Sequence, residues 1–148
     1  MNPKELGMNI PDLRHRAESG SAVAQTILGT CYLEGVQVEI DHKEAFRLLS
    51  AAAEQGVSRA MANLAYMYAE GLGTAKNLQE ALPLYEQAAD AGEFLAQVEL
   101  ARMYARGVGV AAAPKLARKW YAAAAAQEGS VGDCGELREA KAYCRKPS

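Results

Sequence analysis

Apolar residues recur along this chain at three- and four-residue steps, and the whole pattern returns every 36 residues. Ala24, Leu28, Cys31 and Tyr32 set the first copy. Ala60, Leu64, Met67 and Tyr68 set the second, and Ala96, Leu100, Met103 and Tyr104 the third. Steps of three and four place these residues on one face of an α-helix. Gly35, Gly71 and Gly107 follow the three runs, where glycine accepts the left-handed conformation that closes a helix. The spacing predicts a first helix from Ala22 to Glu34 and its two equivalents.

A connection of about six residues, within the usual range between packed helices, leads to a second start signal. Asp41-x-x-Glu44 and Asn77-x-x-Glu80 have the form of a capping box. There the cap side chain accepts from a free backbone N–H, and the glutamate reaches back to the N–H of the cap. In the third copy Ala113 holds the cap column, a loss of about 1 kcal/mol. Pro114 at the first helical position offsets part of it. The second helix then carries Ala45, Leu48, Leu49, Ala52 and Ala53 in copy one. Copy two has Ala81, Leu84, Tyr85, Ala88 and Ala89; copy three has Ala117, Trp120, Tyr121, Ala124 and Ala125. Paired alanines let a neighbouring helix approach closely. Gly56 and Gly92 are expected to end these helices, and Gly129, one residue out of step, the third. Pro83 inside the second copy predicts a kink or a later helix start.

The ends are fragments of the same pattern. Leu13, Ala17, Glu18 and Gly20 stand 36 residues before Leu49, Ala53, Glu54 and Gly56. The expected organisation is a single repeat domain over 1–148: a half repeat at 12–20, repeats at 21–56, 57–92 and 93–129, and a capping helix within 130–148. A period of this size marks a stacked array whose terminal units are atypical, and such arrays bind other proteins along an extended surface.

The segments AQTILGTCYLEG, AMANLAYMYAEGLG and AQVELARMYARGVG, each followed by a cap and paired alanines, resemble the Sel-one-like repeat (SLR). That family is related to the tetratricopeptide repeat, and the resemblance covers residues 21–129. Two departures are Gln37, where the other copies have Gly73 and Gly109, and Trp120, present only in copy three. The resemblance implies an all-α fold, a right-handed α-α superhelix built as a short solenoid of helix-turn-helix repeats. It implies first helices lining a concave face, and a non-enzymatic adaptor or scaffold for a partner protein or peptide. Some members carry a disulfide in each repeat and were associated with beta-lactam binding; the paired cysteines are missing here, so that property does not carry over. Other members serve as dedicated inhibitors, such as immunity proteins that neutralise one toxin or effector enzyme. A small hydrolase is the reading from a different class, and the missing cysteine pairs count against it.

Binding residues are expected where the repeat columns disagree. On the first helices the columns away from the Leu and Tyr face hold Thr26, Thr30 and Glu34 in copy one. Copy two has Ala62, Tyr66 and Glu70 there, and copy three Val98, Arg102 and Arg106; Arg59 and Leu95 lie one turn earlier. By analogy with tetratricopeptide grooves, these columns line the concave face. Tyr and Arg are frequent hot spots, so Arg59, Tyr66, Arg102 and Arg106 are expected to hold a segment with acidic groups, with Glu70, Thr26, Thr30 and Glu34 completing the face.

Composition narrows the remaining classes. Half of the 148 residues are hydrophobic and the net charge is −2, which argues against a nucleic-acid footprint. No apolar run approaches the ~20 residues needed to span a bilayer. The first residues lack the apolar core of a secretory signal, so a cytoplasmic protein of bacterial style is expected. Three cysteines fit a reducing compartment. Cys31 shares its column with Met67 and Met103 and reads as core. Cys134 and Cys144, on one continuous helix, would stand about 15 Å apart along the axis, beyond disulfide reach. His15 and His42 lack zinc-ligand spacing, and Gly71-Leu72-Gly73 and Gly107-Val108-Gly109 follow helices rather than strands. No metal and no cofactor are therefore expected, and no Ser or Cys has a sequence neighbour that would activate it. Tyr68, Tyr85, Tyr104, Trp120 and Tyr121 read as packing. Both ends of a short solenoid are stacking faces, so weak self-association is expected.

Overall fold

The computed structural model describes residues 9–147. Within them the chain is helical throughout, without strands: α1 Ile10–Glu18, α2 Ala22–Glu34, α3 His42–Glu54, α4 Ser58–Glu70, α5 Leu78–Asp90, α6 Phe94–Arg106, α7 Pro114–Ala125, the short α8 Glu128–Val131, and α9 Gly135–Arg145. Two compact units divide it, one ending at Asn77 and the other beginning at Leu78. The first holds α1 to α4 and the second α5 to α9. Their boundary falls between the loop and the second helix of the middle repeat.

The local signals act largely as their chemistry dictates. Gly35, Gly71 and Gly107 stand at φ 72°, 70° and 66° and donate to the carbonyls of Cys31, Met67 and Met103. Ser21 caps α2 by accepting from the Ala24 N–H, and Asn9 caps α1 by accepting from the Asp12 N–H. Asp41 accepts from the Glu44 N–H at 3.1 Å. The reciprocal half of that capping box is not made. The Asp41 N–H donates instead to the Tyr32 carbonyl at 3.0 Å, and the Glu44 carboxylate takes Arg47. The same bond recurs from Asn77 to the Tyr68 carbonyl and from Ala113 to the Tyr104 carbonyl, at 2.8 and 2.9 Å. In the first and third repeats the cap's own N–H is therefore spent on tying the second helix to the first. Ala113 has no capping side chain, and Pro114 opens α7.

Two expectations are corrected. Helix α5 runs from Leu78 with Pro83 inside it, so it does not start late; Pro83 lies in the second turn, where its missing N–H removes a single bond. Gly129 does not end the last second helix. Helix α7 ends at Ala125, and Gly129 lies inside α8.

In the first unit Leu13, Ala17, Ala24, Leu28 and Leu48 form one buried cluster. The repeated tyrosines fasten each first helix to the second helix before it. The Tyr32 hydroxyl accepts from Arg14 of α1, and the Tyr68 ring stands edge-on to Phe46 of α3 at 5.4 Å. In the second unit the Tyr104 hydroxyl donates to Glu86 of α5. There Val98, Ala101, Tyr121, Ala124 and Ala140 form the core, joined by Phe94, Trp120 and Tyr143. Cys31 is buried and, with Cys134 and Cys144, unbonded. No buried side-chain nitrogen or oxygen among the described residues lacks a partner, as a close-packed interior requires.

Candidate functional site

A first helix of this repeat offers one outward face, and the columns at its start, middle and end define it. On α4 these are Arg59, Tyr66 and Glu70. Spacings of seven and eleven residues lie within about 20° of whole turns, at 3.6 residues per turn, so the three share a face. All three are exposed, Tyr66 to 45 %. The ring presents both an apolar face and a hydroxyl to solvent. The equivalent face carries Val23 and Glu34 on α2, and Leu95 and Arg106 on α6, again exposed. Among the exposed large hydrophobic residues Val23, Ile40, Tyr66, Leu95, Val108 and Leu116, three thus fall in these columns, one per first helix.

Other residues expected on this face are engaged elsewhere. Thr26 is buried, and its hydroxyl donates to the Ala22 carbonyl at 2.8 Å. Its equivalent Val98 is fully buried against Tyr121 and Ala140. At these two positions the column packs, and at Val98 it does so against α7 and α9; Ala62, its member on α4, is half-buried. Thr30 is half-buried; its hydroxyl donates to the Thr26 carbonyl and accepts from Asn63 of α4 at 3.0 Å.

Arg102, expected as a free cation for an acidic partner, is already paired within the second unit. Its Nε donates to both carboxylate oxygens of Glu139 at 3.0 and 3.1 Å, and Nη2 reaches the same carboxylate at 2.5 Å. Nη1 takes Glu99. The Tyr121 hydroxyl donates to Glu139 at 2.7 Å. The Arg102 bonds, then that of Tyr121, hold the Glu139 carboxyl below the ordinary glutamate range against the opposing effect of burial. Burial, followed by the Glu139 contact, pushes the Tyr121 phenol upward. Glu139 belongs to α9. Its bond to Arg102 stands where Asn63 bonds Thr30 in the first unit, since Thr30 and Arg102 share a repeat column. Helix α9 thus plays the part of a following first helix.

Among the described residues, no group of three His, Cys, Asp or Glu side chains is placed to hold a metal ion. No described helix is long and apolar enough to cross a membrane.

Comparison with known proteins agrees with this architecture. The Sel1 repeat family model matches three times, at residues 22–57, 58–93 and 95–128. The solved structure of a Sel1 repeat protein from Oxalobacter formigenes is similar, with 41 % identity and a TM-score of 0.72, over 88 % of this chain and 96 % of that one. So is c5321, a protective antigen of uropathogenic Escherichia coli with an SLR fold, with 30 % identity and a TM-score of 0.74. That match covers 90 % of this chain and 32 % of the antigen. No curated protein matched the chain.

Proposed function

The chain belongs to the Sel1 repeat family, whose members generally mediate protein–protein interaction, and on that premise we propose that it is an adaptor. It binds a partner protein or peptide along the outward face of the first helices of its first unit, α2 and α4. The observation that carries this is Tyr66, 45 % exposed on α4, with Arg59 and Glu70 on the same face. Val23 of α2 supplies an apolar contact in the position equivalent to Arg59. Arg102 is assigned to holding α9. With its charge met internally, acidity of the partner is no longer required at that point of the face. Sel1 repeats are typically scaffolds without catalysis, and we read this chain as non-enzymatic and cytoplasmic.

The test is a binding titration with a partner captured from the source organism. Tyr66→Ala combined with Arg59→Ala is expected to weaken the complex at least tenfold, because hot spots are Tyr- and Arg-rich. Unchanged affinity would remove the face from the interaction.

A further inference from the structure

The second unit carries a local charge imbalance that the net charge of the chain conceals. Residues 114–126 hold Lys115, Arg118 and Lys119, and residues 140–147 hold Lys141, Arg145 and Lys146. Neither segment contains an acidic residue. Lys141 pairs with Glu128 of α8. Lys119 lies over the Trp120 ring, its Nζ 4.7 Å from the centroid.

Arg118 shapes what lies between the two segments. Its Nη1 donates to the Cys144 carbonyl at 2.9 Å and its Nη2 to the Lys146 carbonyl at 2.6 Å. These bonds tie the end of α9 to α7 with neutral acceptors, so the guanidinium charge is not cancelled. Beside them opens a cleft of about 430 Å³ lined by Pro114, Lys115, Arg118, Tyr143, Lys146 and Pro147. Two prolines and a tyrosine make stiff apolar walls. Lys115 and Lys146 are exposed, and no described carboxylate is ion-paired with either or with Arg118.

We propose that this cleft is a second docking site, which takes an acidic peptide segment of a partner protein. One apolar side chain of that segment sits between Pro114, Tyr143 and Pro147, and its carboxylates meet Lys115 and Lys146. Charge complementarity selects the occupant: three cations line the cleft without an acid among the lining residues, with Arg118 held by two backbone carbonyls and Lys146 Nζ 5.8 Å from the centroid of the Tyr143 ring. A polynucleotide fits less well, since phosphate binding wants a basic stripe along the molecule and a high pI, whereas the pI here is about 5.7. A short cleft with an apolar floor and a charged rim has the anatomy of a peptide anchor pocket. The proposal rests on reading the chain as an interaction module, but on residues outside the Tyr66 face.

Fluorescence polarisation with labelled probes tests it. The probes are an eight-residue peptide with four glutamates and one central phenylalanine, its glutamine counterpart, and a single-stranded oligonucleotide of eight thymidines. The acidic peptide is expected to bind, more weakly as salt rises, and the glutamine peptide to bind at least tenfold more weakly. Lys115→Glu with Lys146→Glu is expected to abolish binding; both side chains are exposed, and unchanged Trp120 fluorescence would show α7 and α9 intact. Tyr66→Ala is expected to bind the acidic peptide as the parent chain does. Three results would overturn the cleft: no binding of the acidic peptide, equal binding by the double variant, or tighter binding of the oligonucleotide. Binding lost in Tyr66→Ala but kept in the lysine variant would reject the cleft and leave the adaptor reading standing.

Discussion

Gln55 donates its side-chain amide to the carbonyl oxygen of buried Gln25 at 2.8 Å, and Gln127 does the same to buried Gln97 at 2.8 Å. Each buried glutamine then donates across to the preceding second helix, Gln25 to the Ala17 carbonyl and Gln97 to the Ala89 carbonyl. Gln55 and Gln127 also reach the carbonyls of Gly20 and Gly92 in the turns. One carboxamide pair thus ties three helices at the base of a repeat. In the middle repeat both columns change together, to Met61 and Ala91.

That concerted change makes the pair testable. Gln97→Met removes one of two acceptors of the Gln127 amide, which keeps the Gly92 carbonyl, and one of two donors to the Ala89 carbonyl, which keeps the Gly92 N–H, and is expected to cost about 0.5–1.5 kcal/mol. Gln127→Ala alone is expected to cost about 1 kcal/mol. The double variant, which copies the middle repeat, should cost less than the sum, with a coupling of about 0.5–3 kcal/mol. Urea unfolding of the four proteins measures it, and additive single losses would show that the pair does not act as a unit.

Gly73 has two reasons to be glycine. It stands at φ 70°, and a Cβ there would lie 2.3 Å from the His42 carbonyl oxygen at the start of α3. Gly73→Ala is expected to destabilise the protein by about 2 kcal/mol or more, from left-handed strain and backbone overlap together. Gln37 already carries a side chain at φ 61°, so Gln37→Gly should move stability by no more than about 1 kcal/mol. Thermal unfolding of both variants makes the comparison; equal effects would contradict the close approach at Gly73.

The docking of α9 should depend on pH at both ends of the scale. The folded Glu139 carboxyl binds protons less readily than the ordinary value of 4.5, chiefly through Arg102. Its stabilising effect is therefore complete above 4.5 and lost as pH falls below it toward the lower folded value. The Tyr121 phenol lies above its ordinary 10.0, so its contribution holds below 10 and is lost as pH rises through the folded value. Trp120 packs in the cluster that contains Tyr143 of α9, so its fluorescence reports docking. Glu139→Gln should remove the acid-side change and cost about 1–2 kcal/mol. An unaltered acid titration in that variant would show that another group controls it.

Tyr66→Ala should be nearly silent in stability, within about 0.5 kcal/mol, since the ring is exposed. A melting temperature equal to that of the parent chain would separate its role from packing. A marked fall would make Tyr66 a folding residue after all.

Local patterns carried the helices into view. Alternating three- and four-residue steps, glycine at helix ends and the Asp41 cap act within a few residues, so composition and spacing suffice to read them. The 36-residue period also made the repeats legible, because aligned columns separate Leu28 or Tyr32 from their variable neighbours. Which side of a first helix stays open was not legible. Helix α2 buries Ala24, Gln25, Thr26, Leu28, Gly29 and Cys31, a band wider than one face, because helices pack on it from more than one direction. Periodicity orders residues around one helix axis and is blind to what covers each side. Thr26 and Arg102 were expected outside for that reason. Burial of Thr26 and the Glu139 ion pair depend on residues brought together by tertiary packing, the latter across 37 positions. The glutamine pairs did leave a trace, the joint switch to Met61 and Ala91, which the bonds Gln55 to Gln25 and Gln127 to Gln97 account for. The sequence by itself determined the repeated helices and, except at the end of α7, where they stop, since these follow from backbone hydrogen bonding and local side-chain chemistry. Tertiary structure alone decided which charges are satisfied internally and which stay exposed, because an ion pair forms only where two distant side chains meet.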